Sequence, residues 1–324
     1  MKKTRSMLLI ILIVSILPLS AIAIDVDIGT GGIQGVYYPT GINICSIINS
    51  VPEYDINCSA VTSGGSIINI NNVLNNNWEF GIAQSDAQYD AWNGFGSWEG
   101  DPQENLRSVF SIHYESVILI AAADSGINNI NDLIGKTVNV GPADSGGYQN
   151  AIDALSYAEI DLNDLNLRND YPNDAAVEFQ NYNIDAFFIT IGNPNSFVLN
   201  LSQGDRTIYL VPINTEEDFF DIHPYYTASI IPIEYYKDVL NKKDVPTFGL
   251  KATFITSIAV SSDIVYAFTK EIFENFIEFQ ALNAAYEVLT KNKMLQGLTA
   301  PIHPGAMKYF KEVIFLKSSS QNKK

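Results

Sequence analysis

Three glycine-rich turns carry the residue types with the clearest chemical potential in this chain. Gly29-Thr30-Gly31-Gly32-Ile33-Gln34-Gly35, Thr62-Ser63-Gly64-Gly65-Ser66 and Asp144-Ser145-Gly146-Gly147 each fall between an apolar run and a helical stretch. Glycine permits positive φ and brings backbone N–H groups close to a ligand. A helix after the turn adds unpaired N–H groups and the positive end of its dipole. That combination suits a carboxylate or a phosphate. Most single glycine turns are connectors, so the weight lies on three turns in equivalent settings, drawn from two halves of the chain. Thr30, Gly31, Gly35, Ser63, Gly64, Ser66, Ser145 and Gly146 are therefore candidate ligand residues, with the hydroxyls as neutral donors.

Gln84-Ser85-Asp86 follows a short apolar run at the same level. Gln84 offers both a donor and an acceptor. Asp86 suits a ligand ammonium or the cap of the next helix, and capping is the default. Tyr37 and Tyr38 flank a glycine turn and Pro39, and Tyr225 and Tyr226 follow Pro224. Most tyrosines pack in cores, so only their neighbours make these pocket candidates. A dinucleotide-binding reading fails at Gln34, where G-x-G-x-x-G needs a third glycine. Catalysis finds no footing either. His113, His223 and His303 are far apart, and neither G-x-S-x-G nor H-E-x-x-H occurs. No catalytic residue, metal or cofactor is expected.

The elements that position these turns read as α/β. Strands are expected at Val26–Ile28, Ile56–Val61, Glu79–Ala83, Val117–Ala123, Thr137–Val140, Asp185–Thr190 and Ile208–Ile213. Helices are expected from about Pro39 to Ser50, after Ser66 through Leu74, and after Gly147 to about Ala158. Two more are expected near the C-terminus, Asp263–Phe279 and Ala281–Lys291. Two similar halves imply two α/β lobes with a cleft between them, and ligands in such sheets bind beyond the carboxyl ends of strands.

The N-terminus reads as a secretory signal peptide, residues 1–23. Lys2, Lys3 and Arg5 precede an apolar run from Met7 to Leu19, and Ala21-Ile22-Ala23 supplies small residues for cleavage after Ala23. The apolar run is short of the ~20 residues that span a bilayer. With 19 basic against 36 acidic residues the chain is strongly anionic, which excludes nucleic acid as a partner. A pocket can still attract a small anion locally. The two cysteines, Cys45 and Cys58, bracket the turn between the first helix and the second strand. In an oxidising compartment a bridge there is worth roughly 3 kcal/mol in the chain-entropy model; two buried free thiols are the alternative.

Several motifs in order resemble the TAXI family, the extracytoplasmic solute receptors of a subset of TRAP transporters. They are Thr30-Gly31-Gly32 with Gly35-Val36-Tyr37-Tyr38-Pro39, Cys58-Ser59 leading into Ser63-Gly64-Gly65-Ser66, and Phe80-Gly81-Ile82-Ala83-Gln84-Ser85-Asp86. Asp132-Leu133 with Gly135-Lys136, Ser145-Gly146, Asp185-Ala186-Phe187-Phe188, Gly192 with Pro194, and His303-Pro304-Gly305-Ala306 follow. The resemblance implies a two-lobed periplasmic-binding-protein fold of the second type, without enzymatic activity. It implies a monomer in the periplasm that takes a small carboxylate such as glutamate or 2-oxoglutarate to a TRAP-type membrane permease. It adds Thr190, Asn193 and Pro194 to the ligand set. Relatives often carry histidine where this chain has Asn193, which removes a possible charge near the cleft. The implied lobes are 24–114 plus 212–324, and 115–211, hinged near His113 and Pro212. An exported sensor that presents its ligand to a receptor kinase shares all these features and is the alternative.

Overall fold

The computed structural model describes residues 23–321; the expected signal peptide lies outside them save for Ala23. The first half of the chain forms β1 (Ile24–Gly29), α1 (Tyr37–Asn49), β2 (Ile56–Val61), α2 (Ser66–Leu74), β3 (Phe80–Gln84), α3 (Ser85–Asn93) and β4 (Leu106–Ala122). Next come β5 (Thr137–Asn139), α4 (Gly146–Tyr157), β6 (Asn166–Arg168), α5 (Pro172–Gln180), β7 (Ala186–Ile191), α6 (Ser196–Ser202) and β8 (Ile208–Val211). The chain continues through α7 (Glu217–Ile222), β9 (Thr227–Ile231), β10 (Val245–Ser257), α8 (Ser262–Glu274), α9 (Phe276–Ala281) and α10 (Pro304–Gln321).

The strands run β2-β1-β3-β10-β4-β7-β5-β6, with β8 added on β4 and β9 on β10. The two long strands β4 and β10 join the halves. Their ends at Leu106 and Ser257 pair beside β3, and their other ends pair with β7, β8 and β9. The antiparallel register between them shifts between Lys251 and Thr253, opposite Tyr114 and Ser111. A bulge there bends a strand and raises its local twist.

The largest apolar cluster runs through both halves, with Phe179, Phe187, Leu210 and Tyr236 in the same cluster as Val26 and Phe80. Val26, Ile28, Ile44, Phe80, Phe110, Phe254 and Phe268 are buried together in it, with the Phe80 and Phe254 rings stacked at 4.8 Å between centroids. Val117, Leu119, Val138, Leu155, Phe188, Phe219 and Phe248 form a second cluster. Ile213, Tyr226 and Leu250 belong to that second cluster too, whereas Ile231, Tyr236 and Val245 belong to the first. We propose that the second lobe runs from about Glu115 to Leu250, and that the hinge lies at Tyr114 and Lys251. The disulfide joins Cys45 on α1 to Cys58 on the edge strand β2.

Three expectations about elements need correction. β4 starts eleven residues before Val117 and β10 was not foreseen, because both carry polar residues among the apolar ones as they cross between halves. The expected Asp263–Phe279 helix is broken at Asn275 into α8 and α9. The expected 281–291 helix does not form: Asn283 accepts from the Ala285 N–H and starts only a short 3-10 turn, Ala284–Tyr286. Helix α10 takes its place later in the chain, begun by Pro304, with the His303 Nδ1 accepting from the Gly305 N–H at 3.1 Å.

Candidate ligand-binding cleft

A cleft of about 400 Å³ opens where the glycine turns meet, within the size range of small-molecule sites. Helices α1, α2 and α4 begin at its edge, and Tyr37, Ser66 and Gly146 at their first positions all line it. The loop into α2 needs glycine for a specific reason: Gly65 has φ +118°, a region closed to side-chain-bearing residues. Gly31, Gly35, Ser63, Gly64, Gln84, Ser145 and Thr190 also line the cleft, so the structure brings most of the candidate residues to one place.

The remaining candidates sit elsewhere. Thr30 is buried beside the cleft wall, and its hydroxyl donates to the Val61 carbonyl at 2.6 Å. Tyr38 is absent from the lining. Asn193 and the cis-bonded Pro194 lie off the cleft, where Asn193 Oδ1 accepts from the Tyr236 hydroxyl at 2.5 Å. Tyr225 packs against Tyr89 and Tyr226.

Several hydroxyls expected to serve a ligand are committed to the protein. Ser145 is the N-cap of α4: its Oγ accepts from the Tyr148 N–H and donates to the Pro142 carbonyl. Ser63 Oγ stands within hydrogen-bond distance of the Thr30 carbonyl and Asn69 Oδ1. Thr190 donates to Asn150 Oδ1 at 2.7 Å. Ser66 Oγ accepts from the Gln84 N–H at 3.0 Å and also stands by the Tyr37 hydroxyl. Gln84 donates through Nε2 to Asn150 at 2.9 Å, while its buried Oε1 has no partner.

Asp86 neither lines the cleft nor caps α3, whose N-cap position is Gln84. It joins the halves beside the cleft. Its Oδ1 accepts from the Ala87 N–H, and Oδ2 accepts from Asn150 Nδ2 on α4 and stands 3.3 Å from the Tyr226 hydroxyl. Tyr226 in turn donates to Asp153 Oδ2 at 2.7 Å. Burial raises the Asp86 carboxyl to about 7 and that of Asp90 to about 6, and the Asp153 charge pushes both the same way.

Glu115 was not foreseen in the site. It is buried on β4, lines the cleft, and its Oε2 accepts from the Tyr37 hydroxyl at 2.8 Å. Burial, and then the Glu115 charge, lift the Tyr37 phenol well above its ordinary range, so Tyr37 keeps its proton for that bond. Tyr171, Phe188 and Phe197 add aromatic surface to the lining. Among the described residues no group of three or more His, Cys, Asp or Glu is arranged to hold a metal.

Two α/β halves joined by a strand pair, with helix N-termini aimed into the space between, define the fold of two-lobed periplasmic solute-binding proteins. Solved structures agree. A putative L-cystine ABC transporter protein from Listeria monocytogenes matches with a TM-score of 0.50 at 11% identity, covering 85% of this chain and 100% of that one. The ligand-binding component of an ABC-type import system from Staphylococcus aureus, solved with zinc bound, gives 0.50 at 9%, covering 91% and 92%. The chain belongs to the NMT1-like family, whose pattern it matches over residues 28–313.

Proposed function

We propose that this protein is the extracytoplasmic solute-binding component of a TRAP-type transporter of the TAXI kind. It captures a small carboxylate, the class that includes glutamate and 2-oxoglutarate, between its lobes and delivers it to a membrane permease. It works outside the inner membrane, as a monomer and without catalysis. The observation that carries this reading is the convergence of three helix starts on one cleft between the halves. Backbone N–H groups and helix dipoles from both sides hold an anion and draw the lobes together on it. The ordered TAXI-like motifs support the permease type, and no helix among the described residues is long and apolar enough to cross a membrane.

Thermal melting of residues 24–324 with glutamate, glutamine, 2-oxoglutarate and C4-dicarboxylates tests the reading. A ligand that binds only the native state raises Tm by an amount set by RT ln(1 + [L]/Kd). A shift with a carboxylate supports the proposal. A flat response to every small carboxylate contradicts it.

A further inference from the structure

Three features of the cleft bear on which carboxylate it takes, given the reading above. One is Glu115, a carboxylate only 3% exposed that lines the cleft. Tyr37 satisfies one of its oxygens. The other has His113 Nε2 at 3.6 Å, beyond hydrogen-bond reach, and both ring nitrogens of that buried histidine lack partners. A second feature is Gln84, which lines the cleft while its Oε1 is buried against Gly146 of α4 with nothing donating to it. Buried acceptors of this kind are costly unless a donor reaches them. The third is the rest of the lining. It contains no Lys, Arg or His, and Val140, Phe188, Ile189, Ile191 and Phe197 make much of it apolar.

A ligand with two carboxylates would place one on the helix starts and leave the other without a counter-charge beside Glu115. A ligand with one carboxylate and one ammonium meets both needs: helix N-termini for the anion, and Glu115 for the cation. We infer that the ligand is a zwitterion with a single carboxylate, an α-amino acid whose side chain is uncharged and apolar. Glu115 is then the residue that separates amino acids from the keto acids of the same shape, because an analogue without the ammonium leaves its carboxylate unpaired.

Titration calorimetry of residues 24–324, stripped of carried-over ligand by unfolding and refolding, decides this. The probes are leucine, phenylalanine, the keto analogue of leucine (4-methyl-2-oxopentanoate), glutamate and 2-oxoglutarate. The expected result is binding of leucine or phenylalanine, with the keto analogue and both dicarboxylates weaker by about 100-fold or more. In Glu115→Gln the preference for leucine over its keto analogue should shrink to within about 10-fold. The wild-type comparison stands alone if that variant does not fold. Equal or tighter binding of a keto acid or dicarboxylate overturns the inference and leaves the carboxylate receptor intact. Absence of binding by all five, together with a flat melting response to every small carboxylate, overturns both.

Discussion

Gly146, at the start of α4, lies so close under Gln84 of β3 that a Cβ built on it would overlap the Gln84 Oε1, with Ser66 Oγ 3.2 Å away. The two residues come from opposite halves of the molecule, and Gln84 is held by its bond to Asn150 on α4. Glycine here therefore measures how tightly the halves close. Gly146→Ala should weaken ligand binding by about 10-fold or more, equivalent to ~1.4 kcal/mol, because closure must displace the Gln84 side chain. Gly146 has no positive φ, so alanine fits the backbone and the melting temperature without ligand should barely move. Calorimetry alongside a melt checks both; unchanged affinity would show that this contact does not limit closure.

Acid should favour the closed form. Asp86 and Asp90 from α3 face Asp153 from α4, together with the Tyr225 and Tyr226 phenols and, farther off, that of Tyr37. Among the described residues neither Asp86 nor Asp90 forms an ion pair. Both carboxyls are raised, to about 7 and about 6, so the closed form holds protons that an open or unfolded form releases. Their contribution is complete below about pH 4 and is lost as pH rises through 6 to 7. Ligand affinity should fall between pH 5.5 and pH 8, and Asp86→Asn should flatten that dependence by keeping the side chain neutral throughout. A variant with the same pH profile as the wild type would remove Asp86 from this role.

The Cys45–Cys58 bond closes a loop of sequence separation 13, for which the chain-entropy model gives about 3 kcal/mol. Reduction, or replacement of both cysteines by serine, should lower the melting temperature by several degrees and leave the affinity nearly unchanged, since neither residue lines the cleft. Melts with and without reductant measure this directly.

Arg206 holds the second lobe together from within. It is buried, donates to the Phe179 and Ile184 carbonyls at 2.9 and 2.7 Å, reaches Asp124 at 2.8 Å, and lies over the rings of Phe179 and Tyr182. Asp124 is half exposed, so the ion pair itself contributes little. The carbonyls matter more, because Arg206→Ala leaves that of Ile184 without a donor, while that of Phe179 keeps only the Tyr182 N–H. A loss of about 2–3 kcal/mol is expected in urea unfolding, with ligand affinity preserved well below the melting temperature. A larger loss of affinity than of stability would contradict a purely structural role.

The glycine turns were legible in the sequence because their position, between an apolar run and a helix, is local information. Gly64, Gly65 and Ser66 could be placed at a helix start without knowing what lies opposite. Glu115 could not be placed in this way. It is a single acidic residue inside a 17-residue strand, and only the pairing of β4 with β7 and β10 brings it to the cleft. Its signal was present, since a charge within an apolar strand asks for a partner. Ser145 shows the opposite limit: its place at a helix start was readable, but whether its hydroxyl serves a ligand or its own helix was not. Asn193 sits near a motif and away from the cleft because Tyr236, more than forty residues later, captures its side chain.

The most direct test of the central claim compares a carboxylate with its own amide. The small carboxylate that gives the largest thermal shift is titrated calorimetrically into residues 24–324, followed by the primary amide of the same molecule. If helix starts hold the carboxylate, the acid binds and the amide is weaker by about 100-fold, since it brings no charge to the dipoles and N–H groups. Equal affinity for acid and amide would contradict the account.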